Sequence, residues 1–126
     1  MKKLEIVIKR GKLDELKDTL NGLGVTGMML TNIMGYGNQK GYTQIYRGKK
    51  YNVNFIPKIK VETVIKDCMY EEVLEKVRET VYTGNIGDGK IFVYDVFEAV
   101  RIRTNERGEA AIDGDSGSEF DPDIMK

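Results

Sequence analysis

A glycine-rich segment that ends in a lysine, residues 84–90 (GNIGDGK), has the composition of a phosphate-binding loop. These residues match the first seven places of the P-loop pattern, but Ile91 stands where that pattern needs a magnesium-binding serine or threonine. The segment also follows a predicted helix and precedes a predicted strand, in the opposite order to a P-loop. Two interpretations stay open, a tight turn and a cradle of backbone N–H groups with Lys90 as the adjoining cation.

Two arginines further along the chain strengthen the second interpretation. Arg101 and Arg103 are two residues apart in a predicted strand, so both side chains should project from one face while their apolar neighbours project from the other. Adjacent guanidinium groups repel each other unless an anion lies between them, and arginine is suited to bidentate contact with phosphate. A solvated edge of the sheet is the alternative, but the arginines, Lys90 and the glycine segment together favour a polyphosphate site.

A second glycine-rich match, residues 22–27 (GLGVTG), fits the dinucleotide-binding pattern G-x-G-x-x-G letter for letter. That pattern binds a pyrophosphate only when it follows a strand and opens a helix. Here it follows a predicted helix and precedes a predicted strand. We therefore interpret it as a turn whose glycines take positive φ angles.

The overall composition excludes several classes of protein. The 126 residues contain 20 basic and 20 acidic side chains, and this neutral balance argues against a nucleic-acid binder. Residues 40–46 loosely resemble an RNA-binding motif, but they fall in a loop rather than on the central strand that the motif requires. The absence of histidine excludes Ser-His-Asp and Cys-His catalysis, and the single Cys68 cannot form an internal disulfide.

The charges are distributed unevenly along the chain. Residues 1–66 carry 13 basic and 5 acidic side chains, whereas residues 67–126 carry 7 basic and 15 acidic ones. Such a dipolar chain indicates local anion sites and charge complementarity between copies or partners, unless folding mixes the two halves. No apolar run is long enough for a signal peptide or a membrane span, so we expect a cytoplasmic protein without membrane insertion.

The hydrophobic periodicity predicts an α+β fold. Alternating apolar residues indicate four strands, at about 3–9, 28–36, 56–66 and 91–103. Apolar spacings of three and four indicate two helices, at about 12–21 and 70–81. This order is that of a ferredoxin-like double βαβ sandwich, in which two helices cover one face of a four-stranded antiparallel sheet. We expect a dimer or trimer to cover the other face.

Two segments depart from the compact domain that we assign to residues 1–112. Residues 37–55 form a long loop between the second and third strands, longer than a simple connection in a compact domain. Residues 113–126 are acidic and contain glycine, serine and proline, so we predict a mobile tail.

Three blocks of sequence carry a family resemblance. They are residues 83–93 with Val96 and 101–104, residues 35–41 leading to 46–48 and Tyr51, and residues 55–62. Together they resemble the PII signal-transduction protein family. The resemblance implies a homotrimer of ferredoxin-like subunits that binds ATP or ADP in clefts between subunits and senses 2-oxoglutarate beside magnesium-ATP. It also implies a non-catalytic allosteric switch whose long loop regulates an ammonium transporter or enzymes of nitrogen metabolism.

The resemblance also implies which residues bind each ligand. For the adenine nucleotide these are Gly27, Met28, Met29, Gly35, Gly37, Asn38, Gln39, Glu62, Val64, Ile86, Gly87, Asp88, Gly89, Lys90, Arg101 and Arg103. For 2-oxoglutarate they are Gln39, Gly41 and Lys58, with Gln39 also contacting the magnesium ion. The basic and aromatic tip of the long loop would contact the protein partner through Arg47, Lys49, Lys50 and Tyr51.

Three positions differ from the usual pattern of the family. Asn38 stands where many members have an arginine that reaches the phosphates, and Met29 stands where a small hydroxyl residue is common. Lys49 and Lys50 make the loop basic just before Tyr51, the position that some members uridylylate. Two alternatives to the main prediction remain: an adenine-nucleotide sensor that does not use 2-oxoglutarate, and a slow ATPase acting in the same cleft.

Overall fold

The computed structural model describes residues 1–36, 43–46, 49–52 and 55–114, with only the backbone given for 36, 43–46 and 49–52. The strands are β1 (Lys2–Lys9), β2 (Met29–Tyr36), β3 (Thr43–Tyr46), β4 (Lys49–Asn52), β5 (Phe55–Ile65) and β6 (Gly89–Asp95). The helices are α1 (Leu13–Gly22), α2 (Tyr70–Val81) and α3 (Glu109–Ile112), and short 3-10 turns lead into α1 and α2. None of these described helices is long and apolar enough to cross a membrane.

An antiparallel sheet with the strand order β2-β5-β1-β6 organises the chain. Each βαβ unit supplies one inner and one outer strand, so the two halves of the chain interleave in a single sheet. Strands β3 and β4 pair separately as a hairpin between β2 and β5, within the predicted long loop. The sheet and its two long helices confirm the predicted ferredoxin-like α+β fold.

Helices α1 and α2 pack on one face of the sheet, and the alternation of apolar residues decides which face that is. Leu4 and Ile6 of β1 are fully buried, and Val61 of β5 lies opposite Ile6 in the strand register. Leu16 of α1 and Val77 of α2 belong to the same buried cluster. Because apolar residues recur every second position in the strands and every third or fourth in the helices, each element buries one face.

The opposite face of the sheet is not covered by the helices, and it carries both charged and aromatic side chains. Lys60 and Glu62 lie on this face, since they alternate along β5 with the buried Val61. Phe92 and Tyr94 of β6 lie on it as well and are 45% and 48% exposed. Large aromatic side chains on an uncovered sheet face are typical of a surface that contacts another protein.

The predicted fourth strand is shorter than expected, and this corrects the placement of two site residues. Strand β6 ends at Asp95 instead of near Arg103. Beyond it the chain turns back, and the N–H of Asn105 donates to the carbonyl of Arg101 at 2.7 Å. Asn105 has a φ of 61°, a left-handed conformation that asparagine adopts more readily than most residues. The prediction that Arg101 and Arg103 share one strand face is therefore wrong, because both lie around a turn.

The turn at residues 22–27 forms between α1 and β2 as predicted, but only Gly24 among its glycines has a positive φ, of 83°. The N–H of Val25 donates to a carbonyl in the last turn of α1, that of Leu20, at 2.9 Å and ends the helix. The hydroxyl of the buried Thr63 then donates to the carbonyl of Gly27 at 2.5 Å. This bond fixes the start of β2 against the end of β5.

Folding brings parts of the basic first half of the chain against the acidic second half. Lys9 lies 3.3 Å from Asp88, and the N-terminal amine lies 3.1 Å from Asp67. Because such pairs neutralise charge within one chain, the dipolar sequence does not by itself indicate a charged partner.

Candidate functional site

The carboxylate of Asp88 closes the glycine loop, which we define as residues 82–88 between α2 and β6. The backbone N–H groups of Thr83 and Gly84 donate to its Oδ2 at 2.8 and 2.9 Å, and the Thr83 hydroxyl donates to its Oδ1. These hydrogen bonds, those from Thr83 foremost, lower the pKa of Asp88 well below its usual value. The sequence did not reveal this role, because a threonine five residues before an aspartate is not a distinctive pattern.

Replacing Asp88 by asparagine should lower the melting temperature at pH 7 and reduce the sensitivity of the fold to acid. The pKa of Asp88 lies below its ordinary value of 3.8 in the folded protein, so folding favours the ionised form. Its stabilisation is complete well above pH 3.8 and is lost as the pH falls through the lowered pKa. Thermal unfolding from neutral to acidic pH should show the two melting temperatures approaching each other. A constant difference at every pH would contradict this role, and Asp18→Asn on the exposed side of α1 is the control.

Predicted site residues from three separate parts of the chain line one cavity of about 290 Å³ beside the glycine loop. They are Gly35, Lys58, Gly87, Gly89 and Lys90, and Val7 and Phe92 complete the lining. We call this the lysine cavity. The Nζ of Lys58 donates to the carbonyl of Gly87 at 2.7 Å, which joins β5 to the glycine loop.

The lysine cavity has a positive electrostatic character. Partial burial, and then the nearby Lys9, lower the pKa of Lys58. Both effects penalise a lone cation, so an anion placed beside Lys58 would be stabilised there. Lys90 is exposed at the same cavity and adds a second ammonium group. Two lysines and the backbone of a glycine loop fit the chemistry of a phosphate or a carboxylate.

A different set of predicted residues lines a second cavity, of about 480 Å³. Gly27, Val64 and Arg101 form it together with Thr26 and with residues 111–114 near the end of the described chain. We call this the arginine cavity. The guanidinium of Arg101 donates to the carboxylate of Glu106 at 2.7 Å. Glu106 therefore already supplies an anion to Arg101 within the same chain.

The two cavities lie at opposite ends of the sheet. Lys58 of the lysine cavity and Val64 of the arginine cavity are both on β5 and six residues apart. At about 3.3 Å per residue, the distance between them along the strand is about 20 Å. One chain therefore does not bring all of the predicted nucleotide-binding residues together.

The remaining predicted residues within the described chain occupy varied positions. Met28 packs against the core, whereas Met29 is exposed on the open face directly opposite Glu62. Glu62 lies between two lysines, 3.2 Å from Lys3 and 3.7 Å from Lys60. Two further predicted residues are exposed on loops, Ile86 in the glycine loop and Arg103 in the turn after β6.

Several predicted residues of the long loop cannot be placed. Gly37, Asn38, Gln39, Gly41 and Arg47 lie outside the described residues, as do residues 115–126 of the predicted tail. Lys49, Lys50 and Tyr51 belong to β4, of which only the backbone is described.

The fold and the two cavities define a class of protein: a ferredoxin-like α+β domain with a glycine loop beside two lysines and a hairpin inserted between β2 and β5. Comparison with known proteins identifies the family. The family model described as "Nitrogen regulatory protein P-II" matches residues 1–106.

Curated proteins with the same description are similar over almost the whole chain. The Nitrogen regulatory protein P-II of Pasteurella multocida is 51% identical over 112 residues, which is 89% of this chain and 100% of the relative. The P-II protein of Rhodospirillum rubrum is 52% identical and P-II 1 of Escherichia coli is 47% identical, both with the same coverage. The chain therefore belongs to the P-II family of nitrogen regulatory signalling proteins, as the sequence resemblance indicated.

Proposed function

We propose that this protein is a non-catalytic allosteric switch that binds ATP or ADP, senses 2-oxoglutarate and regulates nitrogen-metabolism partners through its long loop. The observation that carries the proposal is the division of the candidate nucleotide residues between two cavities at opposite ends of β5. Each cavity offers part of an anion site, and a single nucleotide would have to span the sheet to contact both.

A homotrimer would bring the two groups of candidate residues together if the lysine cavity of one subunit faced the arginine cavity of the next. The chain has exposed apolar residues that such an assembly would cover. Phe97 and Ile102, in the segment that follows β6, are 100% and 98% exposed, and Phe92 on the open sheet face is 45% exposed. One exposed apolar residue is ordinary, but several large ones on the same chain are what contact between copies would cover.

In such a site between two subunits, the two cavities would bind different parts of the ligands. The glycine backbone and Lys90 would bind the phosphates from one side, and Arg101 and Arg103 would bind them from the other. Lys58 would bind a carboxylate of 2-oxoglutarate, with Gln39 and the phosphates holding the magnesium ion. A slow ATPase is less consistent with the geometry, because the carboxylate of Asp88 is engaged by Thr83 and Gly84 and is not available to orient a water.

Binding of ATP to Arg103 variants tests the site. We expect Arg103→Ala to weaken ATP by about tenfold or more, since a hydrogen bond to a charged group contributes ~1.5–3 kcal/mol. Arg107→Ala is a matched control, because Arg107 is an exposed arginine of the same turn that is not assigned to the site. Calorimetry that shows unchanged ATP affinity in both Arg103→Ala and Lys90→Ala would exclude this site.

Titration of 2-oxoglutarate separates the two sensor hypotheses. We expect binding in the presence of magnesium-ATP and little binding in its absence, because the nucleotide phosphates and the metal complete the 2-oxoglutarate site. If 2-oxoglutarate does not bind even with magnesium-ATP present, the protein is an adenine-nucleotide sensor of the alternative type.

Deleting residues 47–51 should abolish partner binding and leave ATP affinity nearly unchanged. This deletion removes the basic and aromatic tip of the long loop and none of the residues assigned to the two cavities. Copurification with an ammonium transporter or a nitrogen-metabolism enzyme measures the first effect, and calorimetry measures the second. Partner binding that survives the deletion, or that does not respond to 2-oxoglutarate, would refute the loop mechanism.

A further inference from the structure

The guanidinium of Arg101 is contacted by the end of the protein's own chain. Its NH2 donates to the carbonyl of Asp113, and it lies 3.4 Å from the carbonyl of Ala111. Both acceptors belong to residues 109–114, which comprise α3 and the two residues after it, and which we call the C-terminal segment. The segment therefore occupies hydrogen-bond donors that the proposed function assigns to a phosphate.

The position of the C-terminal segment is fixed by contacts that do not involve Arg101. The carboxylate of Asp113 lies 2.7 Å from Nζ of Lys66, and this hydrogen bond raises the pKa of Lys66. Gly114 lies so close to Thr26 that a Cβ on it would be 2.9 Å from the threonine Oγ1. These contacts place the segment along one side of the arginine cavity, next to Gly27.

The same contacts are weak enough to be exchanged for a ligand. Helix α3 has only four residues and buries none of them. The carboxylate that anchors the segment is about half exposed, with the Asp113 side chain at 55%. Exposed ion pairs contribute little to stability, and segments without buried apolar contacts open locally at low cost.

We propose that the C-terminal segment is an internal competitor for the anionic ligand of the arginine cavity. In the ligand-free protein it holds Arg101 through backbone carbonyls, and a nucleotide phosphate displaces it. This inference rests on the proposed function, because it assumes that the ligand is a nucleotide. The bound segment lowers the apparent affinity for the nucleotide, because only the molecules in which the segment has left Arg101 are ready to bind it.

The charge at the end of the chain favours a segment that competes with the anionic ligand over one that helps to bind it. Residues 113–126 carry five acidic side chains and one basic one, so this end of the chain has the same sign of charge as a phosphate. The P-II relatives match 112 of the 126 residues over their full length, which leaves 14 residues of this chain without a counterpart in them.

A truncation after Gly108 tests the proposal. It removes the C-terminal segment and everything after it, and it keeps the whole region that the family model matches and the Glu106 partner of Arg101. We expect calorimetry to show ATP binding roughly five- to tenfold more tightly to the truncated protein than to the full chain. Truncation is expected to preserve the fold because α3 contributes no buried residue.

A point variant tests the anchor in the full-length chain. Asp113→Asn removes the carboxylate that binds Lys66 without removing a cation, and we expect it to strengthen ATP binding by roughly two- to threefold. Asp18→Asn, the same change on the exposed side of α1, should have no effect. In the wild type, ATP should accelerate hydrogen exchange at the N–H of Asp113, which bonds to Glu109 at 3.1 Å, because coupling between ligand and segment is reciprocal.

The outcomes separate failure of this inference from failure of the proposed function. If full chain and truncation bind ATP equally, or the truncation binds it more weakly, the competitor role is overturned while nucleotide binding stands. If neither form binds ATP or ADP, the proposed function and this inference are both overturned. Tighter binding by the truncation, with faster exchange in the wild type, supports the competitor.

Discussion

The Gly89→Ala variant should be severely destabilised, by about 3–5 kcal/mol, the range associated with overpacking and backbone strain at one position. A Cβ at Gly89 would lie 1.7 Å from the carbonyl oxygen of Val7, far inside van der Waals contact. Val7 belongs to the inner strand β1, and Gly89 opens the neighbouring strand β6 opposite Ile8, so moving the two backbones apart would disturb the ladder between β1 and β6. The residue also has a φ of 109°, which a side chain disfavours.

Thermal unfolding measures this effect, and we expect the melting temperature to fall by roughly 10 °C or more. Gly24→Ala is the matched control, because Gly24 has a similar positive φ of 83° and no atom within 4 Å of its Cβ position. It isolates the cost of the backbone conformation, about 1–2 kcal/mol. If the two variants are equally stable, close packing against Val7 does not explain the glycine at 89, and access for a ligand becomes the better explanation.

If the protein is the homotrimer that we propose, trimers that combine two different variants should recover ATP binding that each variant alone has lost. A Lys90→Ala subunit keeps Arg103, and an Arg103→Ala subunit keeps its lysine cavity with Lys90. If one subunit completes the site of the next, random mixing leaves about a quarter of the clefts with both parts intact. Those clefts should bind ATP with the affinity of the wild type, and the others at least about tenfold more weakly.

Coexpression of the two variants followed by calorimetry provides the measurement. A mixture of Arg101→Ala and Arg103→Ala is the control, because both changes affect the same side of the cleft and no combination restores it. Recovery in the first mixture alone supports a site between subunits. Failure of the first mixture to recover would mean that Lys90 and Arg103 do not act in one cleft between neighbours.

Much of the fold could be predicted because the patterns of apolar residues that indicate strands and helices are local in the sequence. The alternation of Leu4, Ile6 and Ile8 specifies which face of β1 is buried, whatever the strand pairs with. The apolar spacing in residues 70–81 likewise specifies the buried face of α2. The family could also be recognised, since the blocks that carry the resemblance are contiguous runs of sequence.

The end of β6 could not be predicted in this way. Apolar and basic residues alternate from Val100 to Arg103 as they would in a strand, yet Val100 and Ile102 are 46% and 98% exposed. The chain leaves the sheet after Asp95 and turns back on itself where Asn105 adopts a left-handed conformation and Glu106 binds Arg101. These contacts join residues through a turn, and a pattern of hydrophobicity does not record them.

The sequence by itself determined the residue types available for binding anions, the order of the elements and the family. Only the tertiary structure decided how those residues are grouped: Gly35, Lys58 and Lys90 line one cavity, whereas Gly27, Val64 and Arg101 line another. It also decided that the Asp88 carboxylate faces Thr83 and that Arg101 meets the C-terminal segment. The physical reason is that side-chain type follows from local sequence, whereas the partner of a charged group depends on where distant segments of the chain are brought together.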